Sequence, residues 1–443
     1  MKIIIIGGIA AGMSAAAKLR RADKYAKIIV YEKSKHVSFG ACGLPYYVGG
    51  FFTDNNNMIA RTKEKFMESG IDVFTEHEVV DVNTDISVVK VKNIISGQEF
   101  EETYDKLLIA TGASSIIPPI KNVNLENVHT LKSMEDGIAL REKMKKDDIK
   151  KVAIIGAGFI GLEAVEAALE NDKEVYVFQL EDRILKEVFD KEVTDILEDE
   201  LKSKGVKLYL NTMVTELKGS KTVESIVAEG TEEKVDLVIV AAGVRPNTEF
   251  LRNTNIEMLR NGAIVIDNEG KTSVENIYSA GDCATIPHML KENAYVPLAT
   301  GANKLGRIVG ENLSGKHEKF EGTLASSCIK VLEMEAGRTG LSEKEAETLG
   351  IPYKTVFIKD KNQTSYYPGQ EDIYVKLVYH GETKVLLGGQ VVGKKDAVQR
   401  TNVLAVAIAA KFTTDRLGMI DLCYAPPFAR TWDVINVAGN VAK

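Results

Sequence analysis

The chain has 443 residues, which by length alone suggests about three domains, and 44% of them are apolar, enough for ordinary globular cores. Lysine and arginine number 56 against 63 aspartates and glutamates, a net charge of −7 that gives no basic footprint for nucleic acid. No run of about 18 apolar residues points to a membrane span, and the opening Met1-Lys2-Ile3-Ile4-Ile5-Ile6 is too short for a signal peptide's apolar region.

Ile3 to Ile6 reads as a buried parallel strand, since it is apolar without alternation. Gly7-Gly8-Ile9-Ala10-Ala11-Gly12 turns it into a helix running to about Arg21, and Ile28 to Glu32 is the next strand. Glu32 stands where an acid can bond a ribose 2′-hydroxyl. Ile9 replaces the middle glycine of G-x-G-x-x-G, so the strand-turn-helix-strand-acid context carries the reading. A dinucleotide's pyrophosphate sits on such a helix N-terminus, among free N–H groups and a positive dipole end.

Ser38-Phe39-Gly40-Ala41-Cys42-Gly43-Leu44-Pro45-Tyr46-Tyr47 follows, with one cysteine among small residues and a proline-aromatic run behind it. A thiol is a nucleophile only as thiolate. An oxidised flavin beside the sulfur would stabilise that charge, and the small residues allow such close approach. The alternative is that Cys42 is a small buried hydrophobe. The other cysteines, Cys283, Cys328 and Cys423, form no C-x-x-C pair, no metal site is indicated, and the sparse usage suits a reducing cytoplasm. Leu107 to Ala113 is a further buried strand closed at Thr111-Gly112.

Val152 to Ile155 leads into Gly156-Ala157-Gly158-Phe159-Ile160-Gly161, a complete G-x-G-x-x-G after a strand, with a helix from Leu162 to Glu170 and a strand from Val175 to Gln179 behind it. Gln179 stands at the ribose-binding acid's position. Glu181 disfavours a 2′-phosphate and Arg183 favours one, so NADH and NADPH both stay open. Leu237 to Val240 is another buried strand, ending near Gly243. Asn276 to Ser279 ends in Ala280-Gly281-Asp282, a carboxylate placed to accept bonds from a ligand's hydroxyls or to cap a helix. A helix is expected from Ala299 to Leu313. Beyond about 321 the pattern becomes antiparallel, with strands at Cys328 to Glu333, Tyr353 to Ile358, Ile373 to Tyr379 and Leu386 to Val392 and Gly381 in a hairpin turn. Ser342 and Glu345 form a capping box, and a helix runs from about Ala397 to Phe412.

In this order the motifs resemble the pyridine nucleotide-disulfide oxidoreductases over essentially the whole chain. The S-F-x-x-C form is that of the single-cysteine branch: coenzyme A-disulfide reductases, NADH oxidases, NADH peroxidases and persulfide reductases. The resemblance implies an α/β fold with two Rossmann-like domains and a C-terminal α+β dimerisation domain. It places an FAD-binding domain at 1–114 and 271–320, an NAD(P)H-binding domain at 115–270 and dimerisation at 321–443. FAD is expected on Gly7, Gly8, Gly12, Glu32, Thr111, Gly112, Asp282, Ala299 and Thr300. NADH or NADPH is expected on Gly156, Gly158, Phe159, Ile160, Gly161, Gln179 and Gly243.

Within the branch, Tyr47 replaces the second cysteine of a C-x-x-x-x-C loop, and Ala10 stands where peroxidases and water-forming oxidases carry a histidine. Tyr366-Tyr367-Pro368-Gly369 and Tyr424 match the tyrosine motifs of coenzyme A-disulfide reductase, and Ser14, Lys18, Arg21, Ser38 and Phe39 fall where that family contacts coenzyme A. Ala41 and Trp432 depart from it, replacing an asparagine and a lysine. The implied activity is reduction of coenzyme A disulfide through Cys42, with Tyr424, Tyr366 and Tyr367 as proton donors, by a cytoplasmic homodimer that sets Tyr424 and Phe428 over the partner subunit's Cys42. Dioxygen, or persulfide and polysulfide sulfur, are the alternative acceptors. A redox-sensing flavoprotein is the alternative of another class.

Overall fold

A computed structural model describes residues 1–443. The first sheet has five strands in the order Ile277–Ser279, Lys106–Ile109, Lys2–Ile6, Lys27–Glu32 and Ile71–Thr75, every pair parallel. Ile3, Ile4, Ile5, Leu107, Leu108 and Ile109 are fully buried. Crossover helices and loops cover both faces of such a sheet, which is why these strands read as unbroken apolar runs. The last strand to join, Ile277–Ser279, returns from far along the chain. It brings with it helix Ala299–Leu313, which lies against helix Ala10–Ala22. The approach needs bare backbone: a Cβ on Gly306 would stand 2.5 Å from the Ala11 carbonyl oxygen, and one on Gly310 2.5 Å from that of Ala15.

The second sheet repeats the plan with Lys207–Tyr209, Glu174–Phe178, Lys151–Ile155, Leu237–Val240 and Val128–His129, again parallel. Two chain crossings join the units, where Ala113–Ser115 pairs antiparallel with Val244–Pro246. Asn247 clamps that crossing: its Nδ2 donates to the Thr111 carbonyl at 3.0 Å, and its Oδ1 accepts from Ser114 Oγ at 2.6 Å. Each unit also carries a three-stranded antiparallel sheet, His77–Asn83 with Val88–Asn93 and Glu99–Thr103, and Val214–Lys218 with Ser225–Ala228 and Thr231–Lys234.

The C-terminal sheet is antiparallel, as expected, but has five strands: Ser327–Val331, Met334–Gly340, Leu386–Gly393, Asp372–His380 and Tyr353–Lys361. The strand expected over Cys328 to Glu333 is present as Ser327–Val331, but it is the first arm of a hairpin. The chain turns at Leu332, whose φ is 55°, and a second strand follows whose Glu335, Gly337, Arg338 and Thr339 mask its alternation. Helix Ala397–Ala409 covers this sheet, with Thr401 over Gly337 and Leu404 over Gly389. The Ser342–Glu345 capping box is present. Lys376, 1% exposed, lies 2.8 Å from Glu192, 2.7 Å from Glu343 and 3.5 Å from Asp190, and so ties the C-terminal sheet to the second nucleotide unit. No helix is long and apolar enough to cross a membrane.

Candidate active site

At the first glycine turn, Gly7 has φ 106°, and a Cβ there would stand 2.1 Å from the Ala110 carbonyl oxygen. No other residue fits. Gly8 N–H donates to Glu32 Oε2 at 2.6 Å, and Ser34 N–H to Oε1 at 2.8 Å. Glu32 is buried. These bonds fix its carboxylate beside the turn and leave lone pairs for a ribose hydroxyl. Helix Ala10–Ala22 has no side-chain cap, so its first N–H groups are free for an anion. A cavity of about 540 Å³ opens here, lined by Ile6, Gly7, Tyr31, Glu32, Thr111 and Ser114 among others. Thr111 Oγ1 donates to the Asn247 carbonyl at 2.7 Å, and Gly112 closes the turn. This cleft fits an adenosine-bearing cofactor such as FAD.

The second turn is built alike. Ala157 N–H donates to Gln179 Oε1 at 2.9 Å, the counterpart of the Gly8–Glu32 bond. Gly161 packs on Gly156, where a Cβ would stand 2.0 Å from the carbonyl oxygen. Helix Phe159–Leu169 starts from an uncapped Gly158, and a Cβ there would meet nothing within 4 Å, which leaves a cradle for a pyrophosphate. Phe159 and Ile160 are half-buried at its mouth, and Gly243 turns the chain after strand Leu237–Val240. Past Gln179, Lys186 Nζ lies 2.6 Å from Glu181 Oε2 and 3.2 Å from Asp182 Oδ1, and Arg183 donates to the Lys186 carbonyl at 3.2 Å.

The Cys42 segment is pinned to the first turn. Ser38, with φ 53°, donates its N–H to the Gly8 carbonyl at 2.8 Å and accepts from Ala60 N–H at 2.9 Å. Phe39 bridges to Ile59, and Gly40 N–H donates to the Met58 carbonyl at 2.8 Å. Cys42 then sits in a single 3₁₀ turn, Ala41–Gly43, that runs into helix Leu44–Gly49 with Pro45 in its first turn. The cysteine is exposed, yet the protein packed behind it raises its thiol pKa. Glu163 and Asp282 add to the rise, and Lys132 opposes it.

Two groups here were not foreseen from the sequence. Lys132 Nζ lies 3.3 Å from Asp282 Oδ2 and supplies the cation that favours a Cys42 thiolate. Burial lifts the Glu163 carboxyl to about 7, against a 3.5 Å bond from Tyr46 Oη and with help from Glu166. Glu163 had a signal, as an acid two residues past the last glycine of a complete fingerprint. Lys132 had none. The Asp282 carbonyl also accepts from Tyr295 Oη at 3.1 Å, and helix Ala299–Leu313, which begins with Ala299 and Thr300, starts without a side-chain cap.

Of the residues expected at coenzyme A, Ser14 Oγ donates to Asn303 Oδ1 at 2.7 Å, Lys18 is ion-paired with Glu311, and Arg21 is exposed. Lys18 is thus neutralised by the helix that packs over it, and Arg21 is the open cation of the pair. On the C-terminal domain, Tyr366 and Tyr424 meet hydroxyl to hydroxyl at 3.1 Å. That bond raises the Tyr424 pKa. Tyr367 is outside the pair; its carbonyl accepts from Gln363 Nε2 at 3.3 Å. Tyr366, Tyr424, Phe428 and Trp432 are all exposed.

Two dinucleotide cradles, with Cys42 beside the first and a third domain behind them, have the layout of a two-nucleotide oxidoreductase. The chain belongs to the pyridine nucleotide-disulphide oxidoreductases: that family matches residues 1–306, and its dimerisation domain matches residues 326–434. The family is enzymatic and uses FAD and NAD(P)H. The chain is 40% identical over 443 residues to the NAD(P)H coenzyme A polysulfide/persulfide reductase of Pyrococcus horikoshii, covering all of this chain and 98% of that one. It is 32% identical over 447 residues to the coenzyme A disulfide reductase of Staphylococcus aureus strain Newman, covering all of both. Among solved structures, an NAD-dependent persulfide reductase from A. fulgidus superposes with a TM-score of 0.95 at 36% identity, over all of this chain and 83% of that one.

Proposed function

We propose that this protein is an NAD(P)H oxidoreductase that reduces coenzyme A disulfide through Cys42, as a cytoplasmic homodimer. The observation that carries this reading is the exposed Tyr366–Tyr424 hydroxyl pair. It lies in a face of exposed aromatics that a second copy of the chain would cover, bringing the hydroxyls to the partner subunit's Cys42. FAD, when bound, supplies the chemistry that joins a hydride donor to a two-electron thiol acceptor. Its holders are the first turn, Glu32, Thr111, Gly112, Asp282 and the start of helix Ala299–Leu313. Gly156 to Gly161, Gln179 and Gly243 would hold the nicotinamide nucleotide, with Gln179 available to its ribose.

The Cys42 thiolate, favoured by Lys132, attacks one sulfur of coenzyme A disulfide. The S–S bond breaks, a Cys42–coenzyme A mixed disulfide forms, and one coenzyme A thiolate departs. Tyr424, partnered by Tyr366, donates the proton that this thiolate needs. A phenol near pKa 10 is close enough to an alkyl thiol to share it. Two electrons and a proton then release the second coenzyme A and restore the Cys42 thiolate. Ser14, Arg21, Ser38 and Phe39 line the approach, with Arg21 free for a phosphate.

The test is Tyr424→Phe, alone and with Tyr366→Phe. Coenzyme A disulfide reduction is expected to fall at least about tenfold, the low side of general acid catalysis, while NADH-driven flavin reduction and oxygen consumption change much less. Equal losses in all three would mark a structural tyrosine. No loss in any would favour dioxygen as acceptor. The Pyrococcus relative's name supports a second reading, in which the acceptor sulfur is a persulfide; sulfide rather than coenzyme A alone would then be released under argon.

A further inference from the structure

The two tyrosines sit on separate loops, so their 3.1 Å contact has to be held by something beneath. Arg400, on the helix Ala397–Ala409 that covers the C-terminal sheet, lies there and is 7% exposed. Its Nε reaches Asp433 at 3.2 Å and 3.0 Å, and its Nη2 reaches Asp433 Oδ2 at 2.8 Å. The two hydrogens of the same Nη2 also serve the Asn362 carbonyl at 2.9 Å and, as a weaker shared contact, the Phe428 carbonyl at 3.3 Å. Asn362 opens the loop that carries Tyr366, and Phe428 closes the segment that carries Tyr424. Asp433 in turn accepts from Ile435 N–H at 3.0 Å, capping the final helix, Val434–Val441. One further bond, from Thr364 Oγ1 to the Pro426 carbonyl at 3.2 Å, crosses between the loops.

We infer that Arg400, held by Asp433, is a positioning residue that sets the Tyr366–Tyr424 hydroxyl pair in register for proton donation. The inference rests on the reading of those tyrosines as proton donors. A guanidinium suits the task because its planar fork serves a carboxylate and two carbonyls at fixed angles, whereas an ammonium is a single compact point. The Arg400–Asp433 ion pair is buried, so little water competes for the charge, and both loops read their position from one rigid helix.

The experiment compares Arg400→Lys, the double variant Arg400→Met with Asp433→Asn, and Tyr424→Phe, each alone and with Arg400→Lys. FAD content, dimer mass and NADH-driven flavin reduction are measured beside coenzyme A disulfide reduction across pH. Both Arg400 variants are expected to keep FAD, mass and flavin reduction within about twofold and to lose about tenfold in disulfide reduction, as expected when a proton donor is misplaced. The alkaline limb of disulfide reduction moves to lower pH, because Tyr424 loses the bond that holds its pKa up. Adding Tyr424→Phe to Arg400→Lys costs little more, because both changes act through one hydroxyl. Unchanged disulfide reduction in the Arg400 variants overturns the inference, as do fully multiplicative losses. Loss of FAD or of the dimer in both Arg400 variants also overturns it, since the ion pair would then support the whole domain. If Tyr424→Phe alone has no effect, the reading of the tyrosines has failed instead.

Discussion

Glu163→Gln isolates the most perturbed acid near the thiol. Burial moves the Glu163 carboxyl from 4.5 to about 7. Since each tenfold in proton affinity is worth about 1.4 kcal/mol, ionising Glu163 in the folded protein costs about 3 kcal/mol more than in the unfolded chain. The folded state keeps a proton that the unfolded chain releases between pH 4.5 and about 7. Stability therefore falls as pH rises through that window, and above it the full deficit persists. Glutamine has the same shape and never ionises. Urea unfolding at about pH 8.5 should show the variant up to about 3 kcal/mol more stable, and at about pH 4.5 the two proteins should agree within about 1 kcal/mol. An equal gain at both pH values would trace to packing and refute the reasoning. A loss at high pH would mean that a cation already stabilises the carboxylate.

Cys42→Ser should keep FAD and its reduction by NAD(P)H but abolish disulfide reduction; substituting Cys283, Cys328 or Cys423 should spare it, and full reductase activity in Cys42→Ser excludes the thiol mechanism. NADH should outperform NADPH in kcat/KM, because Glu181 and Asp182 neutralise Lys186. Glu181→Ala with Asp182→Ala should free that cation and move the ratio roughly tenfold toward NADPH, the worth of one charge-assisted hydrogen bond; an unmoved ratio places the 2′-phosphate elsewhere. Gly306→Val should force apart the helices that cradle the flavin end of the site, at a cost of about 1–3 kcal/mol, read as a lower unfolding midpoint and reduced FAD content.

Both nucleotide units were legible in the sequence because their signals are local. A strand covered on both faces must be apolar throughout, and a turn whose backbone passes 2.1 Å from where a Cβ would sit must be glycine. Gly7 to Gly12, Gly156 to Gly161 and the order of strands between them therefore located the cradles and put Cys42 beside the first. The hairpin at Leu332 was not legible, since the polar and glycine residues of its second strand hide the alternation that marks a half-buried strand. Nor were the charges around the thiol. Lys132 meets Asp282 and Tyr46 meets Glu163, each across a long stretch of chain. No spacing rule spans such a gap, because partners of this kind are chosen when elements pack. The same holds for Arg400 beneath the tyrosine pair. The sequence by itself determined which backbones can hold nucleotides and which sulfur stands beside them. Only the tertiary structure decided which charges face that sulfur and which hydroxyls face each other, because those pairings depend on how separately folded elements come to rest.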